Sequence, residues 1–296
     1  MILRASASFV SACALAVGLA ACGGGSPTTP TPPNPPPVTP PANAVPSIDS
    51  ITIQGRRPRQ PARFADVRET VDVAAAVSDA ETPVGELTYQ WSATGGTFAG
   101  TGRTVAWTAP DSATTSGTVT LTLKVIENYG HPGQPKSFSH EVARTQTVAM
   151  HDSVKEVGDM ARRFLTEFSK PQTNQNWQDV MRDFKASACP QPGLIDDERE
   201  DVIRHYTNFT MHTYTIQDAN VRVDFGGACA FRGRPGDACA SVPVFWDSTD
   251  SRTGVRGTAS GVGHIAAAYA SADSRWWLCS SDFEPADTFG HGFYIR

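Results

Sequence analysis

The sequence predicts a multidomain chain: an all-β sandwich followed by an α+β domain of helices and then an antiparallel sheet. Three observations carry this. Apolar residues recur with period two between residues 47 and 149. Near residue 150 the period becomes helical, and beyond residue 209 strand patterning returns. All four cysteines beyond residue 22 fall at or beyond residue 189. With 296 residues, the chain is long enough for a leader, a linker and two domains.

In the first domain Ile48, Ile51 and Ile53 alternate imperfectly, whereas Val71, Val73, Ala75 and Val77 alternate strictly. Leu87, Tyr89 and Trp91 share a face, as do Val119, Leu121, Leu123 and Val125. The turns between them bear Gly, Pro and Asp, as sandwich strands require. Without a cysteine, this core is expected to rest on Trp91, Tyr89, Phe98 and Trp107. Arg56, Arg57, Arg59, Arg63 and Arg68 form a basic cluster broken by Asp66 and Glu69, read as a solvated strand edge. Asp79 and Glu81 are the candidate calcium carboxylates. A calcium site needs six to eight oxygens, so turn chemistry is the preferred reading of this pair.

In the second domain Ser153 and Glu156 fit a capping box. Val154, Val157, Ala161, Phe164, Leu165 and Phe168 then form one apolar stripe. Trp177, Val180, Met181 and Phe184 mark a shorter helix. Asp196, Asp197 and Glu198 load acid onto the start of a third, where the helix dipole favours it, with Val202, Ile203 and Tyr206 as its buried face. Strands are expected over 210–217, 219–225, 239–246, 254–269 and 275–283, with 247–254 as a hairpin loop. Cys229–Cys239 is expected as a local staple and Cys189–Cys279 as the long one, contributing roughly 3 and 4.5 kcal/mol by loop closure. No C-x-x-C spacing supports zinc.

Leu19-Ala20-Ala21-Cys22 follows Arg4 and an uncharged apolar run over 5–18, and it resembles the lipobox of a bacterial lipoprotein signal. The resemblance implies a signal peptide over 1–21 and diacylglycerol and amide-linked acyl (palmitate-type) chains on Cys22. Several chains anchor a protein stably where one holds only marginally. Gly23 in place of Asp implies sorting to the outer membrane, so the expected location is the cell envelope. From Gly23 to Ile48 nothing is charged and ten prolines occur, which makes 22–46 a polyproline-rich tether.

Ser78-Asp79-Ala80-Glu81, Leu87-Thr88-Tyr89-Gln90-Trp91, Gly95-Gly96-Thr97-Phe98 and Val105-Ala106-Trp107-Thr108-Ala109-Pro110 are similar to bacterial Ig-like domains of the polycystic kidney disease (PKD) type. This implies a spacing or binding role for 47–149. The element order of 150–296 and its closing Ser274-Arg275-Trp276-Trp277-Leu278-Cys279 resemble the nuclear transport factor 2-like (cone-shaped α+β) superfamily. That superfamily includes enzymes with acid/base groups inside the cone, for which the candidates here are His264, Asp224, Tyr214 and His212. His264, amid Val262, Ala266 and Ala268, reads more readily as a buried core histidine. Trp246, Trp276 and Trp277 are numerous enough to fill the cone.

A net charge of −5 opposes nucleic-acid binding. P-loop, dinucleotide, H-E-x-x-H and G-x-S-x-G motifs are absent from the sequence. No cofactor and no catalysis are expected. The expected partners are the membrane, through the anchor, and an envelope protein, glycan or small ligand. An anchored enzyme and a purely structural envelope component are the alternatives.

Overall fold

The structure, a computed structural model of the full chain, describes residues 38–112, 117–169, 177–226, 229 and 233–285, with the side chains of 209–212 and 285 left aside. Cys22, the leader, most of the tether and the aromatic segment 288–296 lie outside the described residues. The body of the molecule, Pro40–Arg296, forms one unit.

Its first part consists of two four-stranded antiparallel-rich sheets. One has the order β1 (Ser47–Gln54), β3 (Thr70–Ser78), β6 (Thr104–Thr108), β5 (Thr97–Ala99). The other has the order β2 (Phe64–Asp66), β8 (Phe138–His151), β7 (Gly117–Tyr129), β4 (Thr88–Ala93). Both contribute to one core: Val71, Val73 and Val105 from the first sheet meet Leu121, Leu123 and Val125 from the second, all buried. A bulge between Ile48 and Ser50 resets the parity of β1, which is why the imperfectly spaced Ile48, Ile51 and Ile53 are buried together.

Of the four aromatics expected to make this core, only Trp107 is fully enclosed. Its Nε1 donates to the Gly95 carbonyl at 3.1 Å. Gly96 lets the chain turn around it, because a Cβ there would sit 2.4 Å from the Thr108 carbonyl oxygen at φ +76°. Tyr89, Trp91 and Phe98 are half-buried at the margin, where polar atoms find carbonyls: Tyr89 Oη donates to Val84 and Trp91 Nε1 to Gly102. An amphipathic ring gains most where one end stays close to water.

The second part begins with α1 (Ser153–Phe168). Its cap is Asp152, one residue earlier than expected: the Asp152 carboxylate accepts from Lys155 N at 3.2 Å, and Glu156 reaches back to Asp152 N at 3.2 Å. Ser153 is drawn away, donating from N and Oγ to Asp66 at 2.9 and 2.6 Å. Val157, Ala161, Phe164, Leu165 and Phe168 are buried as expected, but Val154, beside the cap, is 56% exposed. Asp152→Ala should cost about 1 kcal/mol, the usual loss for an N-cap. Urea unfolding reads this, and an unchanged midpoint would refute the assignment.

α2 (Trp177–Val180) runs into a 3-10 turn, and α3 (Gly193–Asn208) follows. Because α3 starts at Gly193, Glu198 lies past its first turn, not at the dipole's positive end. Val202 and Tyr206 are buried, whereas Ile203 is 42% exposed.

The sheet has the order β10 (Arg222–Phe225), β11 (Ala238–Asp250), β12 (Arg256–Ala270), β13 (Arg275–Pro285), and β9 (Phe209–Ile216) also pairs with β11. β11 is shared along its length: Ala238–Ser241 pair with β10 and Val244–Asp250 with β9. A 3-10 turn, Asp218–Asn220, occupies the start of the strand expected over 219–225. The hairpin loop contracts to 251–255, where Asp250 Oδ1 accepts from Arg252 N and Thr253 N. α1 lies on one face of this sheet, over Ala240, Val242, Val244, Ile265 and Ala267. On the other face both expected disulfides are present, Cys189–Cys279 and Cys229–Cys239, with Cα atoms 5.5 and 5.1 Å apart. They pack there with Ala266 and Ala268. No helix among the described residues is long and apolar enough to cross a membrane.

Candidate functional site

Strand parity separates the four acid/base candidates. Tyr214 pairs with Trp246 and faces the helices, between the rings of Phe168 at 5.5 Å and Phe283 at 5.7 Å. Burial, reinforced by nearby Tyr206, pushes the Tyr214 phenol well above its ordinary range, so it stays neutral. His212 lies opposite Ser248 in the same register series, and its side chain is among those left aside. Asp224 is opposite Cys239 on the outer face and is exposed. His264, opposite Ser241, is buried on that outer face. The structure therefore does not gather them into one inner site.

The interior is packed with aromatic rings. Trp246 lies 6.1 Å from Phe283. Trp276 is buried in the same core where it meets the first part, whereas Trp277 turns outward beneath Arg275, whose guanidinium is 4.0 Å from the ring. A cleft of about 20 Å³ remains between α1, α3 and β13, lined by Phe164, Phe168, Glu198, His205 and Ser281 among others. That is room for about one water.

Two polar arrangements stand out. On the outer face, Ser241 Oγ is 3.4 Å from His264 Nδ1, and His264 Nε2 is 3.2 Å from Glu284. Hydroxyl, imidazole and carboxylate form a chain because Ser241 and His264 are direct cross-strand partners. At the cleft, the buried Glu198 carboxylate accepts from Ser281 N at 2.8 Å and from Ser281 Oγ. Burial first of all, and then the charge of Asp282, push Glu198 up to about 7 against the opposing hydrogen bonds and Arg234. Glu198 is the residue that sequence reasoning missed as a site. Its signal was position: Glu198, Val202 and Tyr206 recur every four residues, placing a carboxylate in the apolar stripe of α3.

Asp79 and Glu81 form turn and clamp contacts. Asp79 Oδ1 accepts from the backbone N–H of Glu81 and Thr82 at 3.0 and 2.6 Å. Glu81 accepts from Ala44 N at 3.1 Å. Nearby Glu127, fully buried, accepts from Asn43 Nδ2 at 2.8 Å and from Thr82, and His140 Nδ1 lies 3.2 Å from the Ala44 carbonyl. Residues 43 and 44, placed in the tether by the sequence, are thus held to the first sheet pair. Among the described residues no group of three or more His, Cys, Asp or Glu is placed to hold a metal.

Of the arginine cluster, Arg56, Arg59, Arg63 and Arg68 are exposed, as a solvated edge expects, whereas Arg57 is drawn into the join between the two cores. Arg57 pairs with Asp66 at 2.7 Å and Glu69 at 3.3 Å, and its guanidinium is 4.4 Å from the Phe225 ring. Arg59 reaches Asp237 at 3.2 Å. Beneath them β2 pairs in parallel with the end of β8, and Phe64 stacks on the fully buried His151 with centroids 4.7 Å apart. His151 Nδ1 lies 3.0 Å from Glu156 and Nε2 3.0 Å from Tyr269 Oη. Trp276 Nε1 donates to Ser153 Oγ at 3.0 Å. Comparison with protein-family models, with curated proteins and with solved structures finds no match to this chain.

Proposed function

We propose that this chain is a non-catalytic lipoprotein of the cell envelope, anchored through Cys22, whose first folded part is a PKD-type Ig-like spacer. Its cone-like C-terminal part, on this reading, is presented to a partner. One observation carries the proposal. The N-terminal segment is held at Asn43 and Ala44 beside His140, whereas the C-terminal part is joined at His151. Those histidines stand near opposite ends of β8, roughly 37 Å apart at ~3.4 Å per residue. On this reading anchor, spacer and head follow one another along the chain, and the fused join of the two folded parts favours a fixed orientation of the head. The ring-filled interior and the small cleft favour a macromolecular partner on the surface, such as an envelope protein, over an enclosed small ligand.

Radiolabelled palmitate should enter the wild-type chain and membrane fractions should retain it. Cys22→Ala should abolish labelling and release the protein to the soluble fraction. Continued labelling of that variant would overturn the anchor.

An anchored enzyme using His264 as base is the second reading, favoured by the Ser241–His264–Glu284 chain. A fluorophosphonate that modifies Ser241 in the wild type but not in His264→Gln would establish it; no modification of the wild type would remove it.

A further inference from the structure

We propose that Glu198 is the bolt of a pH-sensitive clasp that holds α3 against the edge of the sheet and loosens as its carboxyl ionises. The geometry is that of a latch. Among the described residues β13 is the terminal strand of its sheet, and apart from an isolated bridge from Leu278 to Phe184 its outer side exposes N–H and C=O groups on which another strand can add. Glu198 crosses from α3 to that strand and takes both the backbone N–H and the hydroxyl of Ser281. It is nearly fully buried, and α1 contributes the apolar rings of Phe164 and Phe168 to the cleft beside it.

The charges around it make the bolt responsive. β13 contributes Asp282, which is buried and lies 3.5 Å from Arg234 of the segment between β10 and β11. α3 itself adds Asp201 and His205 to the lining. A charge on Glu198 must therefore be carried out of water and near a second carboxylate, with one guanidinium shared between them. Protonated, Glu198 keeps an acceptor oxygen for Ser281 and sheds that cost.

The sign follows from linkage. Glu198 has its midpoint pushed up to about 7 when the clasp is closed. In an opened, solvated clasp it returns to the ordinary carboxylate range. The closed form thus binds the proton more tightly, and opening is favoured increasingly as pH rises between these two midpoints. Below the lower midpoint the clasp has its full stability; above pH 7 the loss is complete. An extended peptide strand is the chemical class that the released edge would accept.

Amide exchange at Ser281 in the full chain, corrected for intrinsic rates, tests the clasp. Protection in the wild type should fall about fortyfold from pH 5 to pH 7 and then level off, approaching tenfold per pH unit only midway between the midpoints. In Glu198→Gln, which retains an acceptor and no charge, protection should not vary with pH. Equal pH dependence in both proteins would overturn the proposal, as would a Glu198 carboxyl resonance titrating below pH 5. Should Glu198→Gln fail to fold, Ser281→Ala decides the matter. It removes a hydrogen bond that favours the carboxylate, so the Glu198 midpoint should move upward; an unmoved or lowered midpoint would refute the clasp.

Discussion

Phe64→Ala is expected to destabilise the folded body by about 3–5 kcal/mol, the range for truncating an enclosed phenylalanine, and to split one unfolding transition into two. Phe64 belongs by sequence to the first sheet pair, yet its buried ring is part of the second core. It stacks on His151, meets Tyr269 edge-on with centroids 4.7 Å apart, and approaches Trp276 at 6.4 Å. Its loss leaves His151 without its stacking partner at a point where no water reaches the imidazole. The ion pairs of Arg57 above it are partly exposed, and such pairs contribute little by themselves. Calorimetry should show a single transition for the wild type and two for the variant. A variant that loses less than about 1 kcal/mol, or unfolds in one step, would show that the join is held elsewhere. Phe64→Leu, which conserves most of the volume, should cost less than about 1.5 kcal/mol and retain one transition.

That join also shows where sequence patterning stops being informative. Strict alternation located β3 and the first half of β7, because one face of each strand is buried along its whole length. β8 carries no such pattern: Phe138–His151 is largely exposed until Val148, Met150 and His151 enter the interior. β2 is three residues long, too short to have a period. The cores are therefore legible and their fusion is not, since it depends on a few residues brought together across 87 positions, as Asp66 and Ser153 are.

The candidate site was legible for a different subset. Parity correctly grouped His264 with Val262, Ala266 and Ala268, but it does not say which face turns inward. Both faces of that stretch are buried, one by α1 and the other by the cysteines, so an apolar setting did not distinguish them. The aromatic filling by Tyr214, Trp246 and Trp276 was foreshadowed by tryptophan content, although Trp277 turned outward. Glu198 was hidden by its neighbours: beside Asp196 and Asp197 it reads as helix-start acid, and only the true start at Gly193 moves it into the buried stripe.

Removing the Cys189–Cys279 bridge should cost about 4.5 kcal/mol by loop-closure entropy, against about 3 kcal/mol for Cys229–Cys239. The two enclose 90 and 10 residues of sequence separation, so the longer bridge restricts the unfolded chain more. Local contacts in the folded state add to the same bridge. Cys279 follows Leu278, which forms an isolated parallel bridge with Phe184. Lys185 pairs with Asp273 at the end of the same hairpin. The strand edge and the segment before α3 are thus held at three neighbouring points, of which the disulfide is the covalent one. Alanine at both positions leaves small apolar groups in a cluster already containing Ala266 and Ala268, which limits the packing penalty. Urea unfolding of Cys189→Ala/Cys279→Ala and of Cys229→Ala/Cys239→Ala should therefore rank the first as the less stable. The opposite ranking would mean that packing around buried Cys229, and not loop length, sets what each bridge contributes.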